Sequence, residues 1–263
     1  MPGNLGLYLL TGCFAGLMSG ALGVGGGIIV VPALLMIFHH NGLVSDAISM
    51  HMAAGTSLAI LMFTSQASMR AHRKLDDILW PVYHRLLGGL IAGTFLGALL
   101  ADLIPSAWLE LFFGVFLLLV AAHLIFDRNM KPGRQFPPSL INHVASFLIG
   151  LLSGLLGIGG GLLIVPYLTY CGVEIRKIVA VSVSCTMTVS IIGTIAFILS
   201  GYHQAGLPPW STGYIYWPAV LGIGIPGSLT APLGARLAYI IPLKYLRAVF
   251  IVLLLITAIK LLT

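Results

Sequence analysis

Charged residues are scarce in this chain. Only 8% of its 263 residues are charged, whereas 59% are hydrophobic, and the mean hydropathy is +1.05. A soluble domain carries roughly 25% charged residues, and a chain of this length has no core large enough to bury so much apolar surface. The composition therefore excludes a soluble protein and predicts an integral membrane protein. Long continuous apolar runs, without a period of two, predict α-helices rather than a β-barrel.

Acidic residues are scarcer still, with only seven Asp and Glu in the whole chain. None lies at the centre of an apolar segment, which excludes the intramembrane carboxylate relay that proton pumps use. The sequence also lacks a Ser–His–Asp set, an HExxH motif, a pair of catalytic carboxylates and a P-loop. We therefore expect no enzymatic activity, no ATP hydrolysis and no cofactor.

Cysteine occurs only three times, as Cys13, Cys171 and Cys185. An odd number without paired spacing argues against a disulfide framework and against a metal site. The formal net charge of +6 would suit a nucleic-acid-binding protein, but the basic residues do not form one patch. They lie in short gaps between apolar segments, where signals for membrane orientation occur, so we predict no nucleic-acid binding.

The apolar segments fall into two sets of four. They span residues 5–38, 45–69, 78–101, 106–126, 140–172, 178–200, 214–240 and 243–262. Adding 134 to each residue number maps the stretch GALGVGGGIIVVP (20–32) onto GLLGIGGGLLIVP (154–166). This duplication predicts a single membrane domain with a first repeat over residues 1–130, a cytoplasmic linker over 131–139 and a second repeat over 140–263.

Each glycine-rich stretch lies inside a segment that is too long for one simple crossing. Residues 5–38 would form a helix of about 51 Å, whereas the hydrocarbon core is about 30 Å thick. Glycine adopts positive φ without steric cost, so helix breaks are predicted at residues 23–27 and 157–161. Each broken segment then either crosses the bilayer or enters it and returns to the same face.

The positions of Lys and Arg favour re-entrant hairpins. Basic residues lie in or beside the gaps at 70–77, 127–139, 173–177 and 239–247. The gaps that contain no basic residue are 39–44, 102–105 and 201–213. If both broken segments re-enter, every basic gap lies on one face, as expected of the cytoplasmic side. Each repeat then crosses the membrane three times, which inverts the second repeat relative to the first.

The two glycine breaks are the main candidates for a binding site. Backbone that leaves the helix at membrane depth must lie against protein or a water-filled cavity. A helix starts directly after each break, and helix N-termini offer free N–H groups and partial positive charge to anions. We predict that a small anion binds between Gly23, Gly25, Gly26 and Gly27 of one break and Gly157, Gly159, Gly160 and Gly161 of the other. The alternative is that these glycines only allow close helix packing.

Polar side chains inside the apolar segments are the second group of candidates. AAGTSLAI (53–60) aligns loosely with AVSVSCTM (180–187), which makes Ser57 the counterpart of Ser184. We predict that Thr56, Ser57 and Ser184 contact the substrate, with hydrogen bonding between helices as the alternative. The candidates for coupling or secondary contacts are His51, Gln66 and Arg85. The alternatives are a hydrogen bond to a backbone carbonyl for His51 and an interfacial position for Arg85.

The motif G-x-x-S-G-x-L-G-x-G-G-G-x-x-x-V-P starts at Gly16 and again at Gly150, and each copy precedes a segment rich in Ser and Thr. This double motif resembles the sulfite exporter TauE/SafE family of membrane permeases, and the resemblance covers essentially the whole chain. It implies a multi-pass secondary transporter of the cell inner (plasma) membrane. The implied substrate is a small sulfur-containing or organic anion such as sulfite, a sulfonate or sulfoacetate.

These observations predict an all-α integral membrane protein of two inverted repeats, each with one re-entrant helical hairpin and three transmembrane helices. The expected function is a permease that exposes its anion to each face in turn. The alternatives are an anion channel and a non-transporting membrane scaffold or assembly protein. The expected partners are the anionic substrate and the lipid bilayer. The oligomeric state, with a homodimer as one arrangement, stays open.

Overall fold

The computed structural model describes residues 5–75, 78–126, 137–240 and 243–262, and these residues are almost entirely helical. The helices are α1 (Leu5–Leu22), α2 (Gly27–Asn41), α3 (Ser49–Leu75), α4 (Trp80–Asp102), α5 (Ser106–Phe126), α6 (Ser139–Leu156), α7 (Gly161–Tyr170), α8 (Ile175–Ser200), α9 (Trp217–Ile240) and α10 (Leu243–Leu262). The predicted helical class is confirmed.

The connection between α8 and α9 contains a small element that the sequence pattern does not predict. A 3-10 turn, Gly201–His203, is followed by an antiparallel pair of short strands, β1 (Ser211–Thr212) and β2 (Ile215–Tyr216). Hydropathy assigns residues 214–216 to an apolar segment, but Gly213 turns the chain with a φ of 56°. Helix α9 therefore begins only at Trp217, where Pro218 suits a first helical turn because it has no N–H to satisfy.

Six of the described helices are long and apolar enough to cross a membrane, which makes this a multi-pass membrane protein. They are α1, α4, α5, α6, α8 and α9. The second arms of the broken segments are shorter: α2 has 15 residues and α7 has 10. At 1.5 Å per residue they measure about 22 Å and 15 Å, less than the core thickness of about 30 Å.

Helices of the first half pack mainly against helices of the second half. The most extensive interfaces join α1 to α9 and α6 to α4. Further interfaces join α3 to α8 and α9, α4 to α8, and α5 to α10. The described helices thus form one interleaved body. Residues 131–136 of the predicted linker lie outside the described residues. So do Arg128 and the side chains of Lys74, Arg176, Lys244 and Arg247, which entered the charge pattern.

Two stripes of glycine make the closest helix contacts. On α1 the stripe consists of Gly12, Gly16 and Gly20, and a Cβ on Gly16 would lie 2.2 Å from the backbone oxygen of Gly227 on α9. On α4 it consists of Gly89, Gly93 and Gly97, and a Cβ on Gly93 would lie 2.0 Å from the backbone oxygen of Phe147 on α6. Helix packing therefore accounts for the first glycines of the repeated motif, Gly16 and Gly20.

The two arms of each broken segment begin and end in the same region of the protein. Tyr8, near the start of α1, lies against Gly222 in α9, and Phe38, near the end of α2, makes an edge contact with Tyr216 at 6.0 Å between ring centroids. In the second half, the hydroxyl of Tyr167 on α7 donates a hydrogen bond to Oδ1 of Asn142 on α6. These contacts place residues of both arms of a broken segment near the same neighbours.

We predict that Gly16→Ala destabilises the protein, because the new Cβ pushes α1 away from α9. Overpacking of this kind costs about 1–3 kcal/mol. Gly88→Ala is the matched control, since nothing lies within 4 Å of its Cβ position and alanine favours the helix. Melting temperatures of the purified proteins in detergent test this, and equal melting temperatures for the two variants would contradict the packing described above.

Candidate functional site

The glycine breaks form two tips, named here tip 1 (residues 23–27) and tip 2 (residues 157–161). In tip 1, Gly23 and Gly25 have φ values of 65° and 71°. In tip 2, the φ values of Gly157, Gly159 and Gly160 are 72°, 75° and 82°. Other residues rarely adopt this left-handed conformation, so the helices break where the sequence predicts.

The tips contact each other directly. A Cβ on Gly161 would lie 2.3 Å from the backbone oxygen of Gly23, and a Cβ on Gly27 would lie 2.7 Å from the backbone oxygen of Gly157. Each of these glycines is needed because the backbone of the other tip occupies the place of a side chain. The chain thus brings together two stretches that are far apart in sequence.

A helix begins at this contact from each side. The N–H groups of Ile29 and Val30 bond to the carbonyl of Gly26, and those of Leu163 and Ile164 bond to the carbonyl of Gly160. The N–H groups that precede them have no partner within their own helix, as in any first helical turn. The partial positive charges of α2 and α7 therefore converge where the tips meet.

Two serines form hydrogen bonds to the tips, and each of them lies on a helix of the other half. Ser57 Oγ on α3 donates to the carbonyl of Gly157 at 2.9 Å, and Ser182 Oγ on α8 donates to the carbonyl of Gly23 at 2.8 Å. Both serines are fully buried. Each tip is therefore bonded to a helix of the opposite half.

These bonds correct the predicted alignment: the counterpart of Ser57 is Ser182, not Ser184. The same difference in residue number relates Ala54 to Val179. Ala54 lies where a Cβ on Gly157 would be, and Val179 lies where a Cβ on Gly23 would be. In the sequence, Ser182 follows tip 2 more closely than Ser57 follows tip 1. The reason is that α7 and the loop after it are shorter than α2 and the loop after it. Ser182 was missed because nothing in the sequence locates that deletion.

The other two predicted hydroxyls make different contacts. Ser184 Oγ donates to the carbonyl of Ala180 in its own helix at 2.9 Å. Thr56 Oγ1 accepts a hydrogen bond from the N–H of Tyr216 at 3.0 Å and lies 3.4 Å from the carbonyl of Tyr214. Thr56 therefore anchors the loop between α8 and α9. Of the three hydroxyls, Ser57 is the one whose described hydrogen bond reaches a tip.

Hydrogen bonds of His51 join the start of α3 to the end of α4 and the turn between α4 and α5. Its Nε2 lies 3.0 Å from the carbonyl oxygen of Ala101 and 3.1 Å from that of Ile104. Carbonyl oxygens only accept hydrogen bonds, so Nε2 carries the proton. His51 therefore makes the hydrogen bond to backbone carbonyls that was given above as the alternative to a coupling role. The His51 ring stacks on Tyr214 at 5.2 Å between centroids.

Tyr214 continues this cluster to the end of α4. Its hydroxyl donates to Oδ1 of Asp102 at 2.6 Å. Burial, together with the hydrogen bond to the Asp102 carboxylate, raises the pKa of Tyr214 above its ordinary value. Gln66 is half-buried on α3 and Arg85 is exposed near the start of α4. Among the described residues, no three His, Cys, Asp or Glu lie close enough to bind a metal ion.

Comparison with known proteins agrees with a multi-pass membrane protein. The family described as "Sulfite exporter TauE/SafE" matches residues 8–261. A probable membrane transporter protein of Haemophilus influenzae is 34% identical over 97% of this chain and 96% of its own length. The probable membrane transporter protein MJ0441 of Methanocaldococcus jannaschii is 31% identical over 92% and 90%. No solved structure matches the chain. The chain belongs to the sulfite exporter TauE/SafE family.

Proposed function

We propose that the protein is a secondary transporter for a small sulfur-containing or organic anion, held between tip 1 and tip 2. One observation carries this proposal: a helix N-terminus from each half begins at the same point of contact inside the helical body. Each N-terminus is equivalent to about half a positive charge, and the effect is stronger away from water. The tips thus attract an anion without a buried Lys or Arg, and they repel cations.

The proposal includes re-entrant hairpins. The arms α2 and α7 are too short to cross the hydrocarbon core, and each returns to the region where its partner arm begins. The contacts among His51, Asp102 and Tyr214 join the start of α3, the α4–α5 turn and the α8–α9 loop at one end of the bundle. The gaps at this end contain no Lys or Arg, as expected of the non-cytoplasmic face.

Inverted repeats follow from re-entrant hairpins, because each half then crosses the bilayer three times, through α3, α4 and α5 and through α8, α9 and α10. Helices α1 and α6, although long and apolar enough to cross, are in this proposal the first arms of the hairpins. The packing supports this relation. The α1–α9 contact is mirrored by α6–α4, and the α3–α9 contact is mirrored by α8–α4. A two-fold axis between the halves would produce these exchanged pairs, and the reciprocal bonds of Ser57 and Ser182 follow the same rule. Such halves are suited to rocking about a central site, which is the basis of alternating access.

The substrate class combines the family with the geometry of the tips. The family description names sulfite, and the tips select for negative charge and small size because backbone surrounds the contact. Since His51 is bound to two carbonyls, we assign coupling to the charge of the anion itself. Moving one negative charge out of a cell is favoured by about 2.3 kcal/mol per 100 mV of membrane potential.

We predict that at least one anion from a panel of sulfite, sulfate, thiosulfate, sulfonates and small carboxylates raises the melting temperature of the purified protein. A ligand at about 100 times its dissociation constant adds about 2.7 kcal/mol to the free energy of unfolding. A scaffold protein would show no shift with any anion. Counterflow of the labelled anion in proteoliposomes then separates a transporter, which shows it, from a channel, which does not.

The contact between the tips is tested by Gly161→Ala. Its Cβ would lie 2.3 Å from the carbonyl oxygen of Gly23, so the tips must separate and anion binding should be lost. Gly6→Ala is the control, since no atom lies within 4 Å of its Cβ position. Binding of the active anion is measured after size-exclusion chromatography has shown that both variants are folded. Unchanged affinity in Gly161→Ala would refute the site.

Re-entrance is tested by cysteine accessibility in a background without the three native cysteines. We expect Asn41→Cys and Ala205→Cys to react with a membrane-impermeant maleimide from outside intact cells. Arg73→Cys should react only after the cells are permeabilised. If both broken segments crossed the bilayer instead, positions 41 and 205 would lie on opposite faces, and only one of them would react.

A further inference from the structure

Thr186 lies in the middle of α8, which runs from Ile175 to Ser200, and touches both tips. Its Cγ2 lies 3.0 Å from where a Cβ on Gly25 would be and 2.9 Å from where a Cβ on Gly159 would be, and its Oγ1 lies 3.6 Å from the first of these positions. Thr186 therefore lies against both tips, at the place where the anion is proposed to bind.

The hydroxyl of Thr186 has no hydrogen-bond partner among the described residues, although the residue is only 1% exposed. Buried polar groups in native proteins are paired in the great majority of cases. A Thr or Ser in a helix commonly bonds to the carbonyl four residues earlier, as Ser184 and Thr188 do in this same helix. Since Thr186 does not use this option, its hydroxyl stays available for a ligand.

Two more unpartnered hydroxyls continue from Thr186 along the same face of α8. Ser190 and Thr194 lie one and two turns further on, are 0% and 6% exposed, and have no hydrogen-bond partner among the described residues. Thr94 on α4 is also buried without such a partner, and its Cγ2 lies 3.4 Å from the Cβ position of Gly193. The row from Thr186 to Thr194 extends about 12 Å along the helix.

This row leads to the end of the bundle where α8 stops. Phe197, about one turn after Thr194, contacts the ring of Tyr214 at 6.3 Å between centroids. Tyr214 in turn bonds to Asp102, which is exposed at the end of α4. The row of hydroxyls thus runs from the middle of the protein towards the face that we propose to be non-cytoplasmic.

Within the described residues, the matching positions on α3 carry no such row of unpartnered hydroxyls, although Ser68, elsewhere on α3, is also buried without a partner. With the spacing that relates Ser57 to Ser182, the counterparts of Thr186, Ser190 and Thr194 are Leu61, Ser65 and Met69. Of these, Ser65 keeps a hydroxyl, but it donates to the carbonyl of Met62. Leu61 lies against tip 2 as Thr186 does, with its Cδ1 2.8 Å from the Cβ position of Gly159. Because Leu61 fills this place without a hydroxyl, packing against the tips does not require one.

We propose that Thr186 donates a hydrogen bond to the anion held between the tips, and that Ser190, Thr194 and Thr94 line its path to the non-cytoplasmic face. This inference rests on the proposed function and adds the side chains that recognise the substrate. Neutral hydroxyls suit a path, because several weak contacts in succession let an anion enter and leave. Charged groups would hold it too tightly.

Binding of sulfite and sulfoacetate to purified protein tests the role of Thr186, by calorimetry on wild type, Thr186→Val and Thr186→Ser. Valine keeps the shape but removes the donor, so affinity should fall about tenfold or more, which corresponds to about 1.4 kcal/mol. Serine should bind nearly as wild type does. The melting temperature of ligand-free Thr186→Val should not fall, since the lost hydroxyl has no partner among the described residues, whereas a purely structural role would lower it.

Thr169→Val is the matched control, because Thr169 Oγ1 donates to the carbonyl of Val165 within α7 at 2.8 Å and should not affect binding. If wild type binds an anion and Thr186→Val binds it equally well, the role of Thr186 is refuted while the proposed function stands. If wild type binds none of the anions, the proposed function fails and this inference fails with it.

The path is tested by Ser190→Cys and Thr194→Cys in the background without native cysteines. Both should react with a small anionic methanethiosulfonate, and sulfoacetate should slow the reaction. Ala196→Cys is the control, because Ala196 lies on the same helix, is 0% exposed and belongs to the apolar core. Similar rates at all three positions, or no reaction at positions 190 and 194, would contradict the path.

Discussion

The constraint on which this structure depends is that backbone N–H groups at membrane depth need partners. An unwound stretch inside a bilayer is stable only against protein or a polar cavity. Tip 1 and tip 2 meet this requirement by packing on each other, with Gly27 and Gly161 at the closest approach. Ser57 and Ser182 then bond to carbonyls that the breaks leave free. The proposed site and the fold therefore have the same physical origin.

Glycine has two separate roles in the repeated motif, and the structure distinguishes them. Gly16 and Gly20 lie within α1 and let it approach the backbone of α9, whereas Gly23 and Gly25 have the positive φ that ends the helix. The same division holds in the second copy, where Gly150 and Gly154 face α4 and Gly157 begins the break. Duplication has preserved the scaffold, while the side chains around the tips differ between the halves. Thr186 and Leu61 show this most clearly.

Much of this arrangement could be predicted from the sequence, because it follows from composition and from glycine chemistry. The helical class and the positions of both breaks needed only hydropathy and φ preferences. The side chains at the site were harder. The sequence pattern predicts Ser184 rather than Ser182 as the counterpart of Ser57, because the shorter arm after tip 2 leaves no trace in it. Thr56 bonds to a β-hairpin that hydropathy assigns to an apolar segment. The unpartnered state of Thr186 is a property of three-dimensional packing, which no periodicity reports.

The central claim is that two opposed helix N-termini hold one anion. The most direct test is a crystal structure of the protein with selenite, whose selenium scatters anomalously and replaces the sulfur of sulfite. The account predicts one selenium site in contact with backbone N–H groups of both tip 1 and tip 2, on the side of Thr186. A selenium site remote from the tips, with the tips still packed on each other, would contradict it.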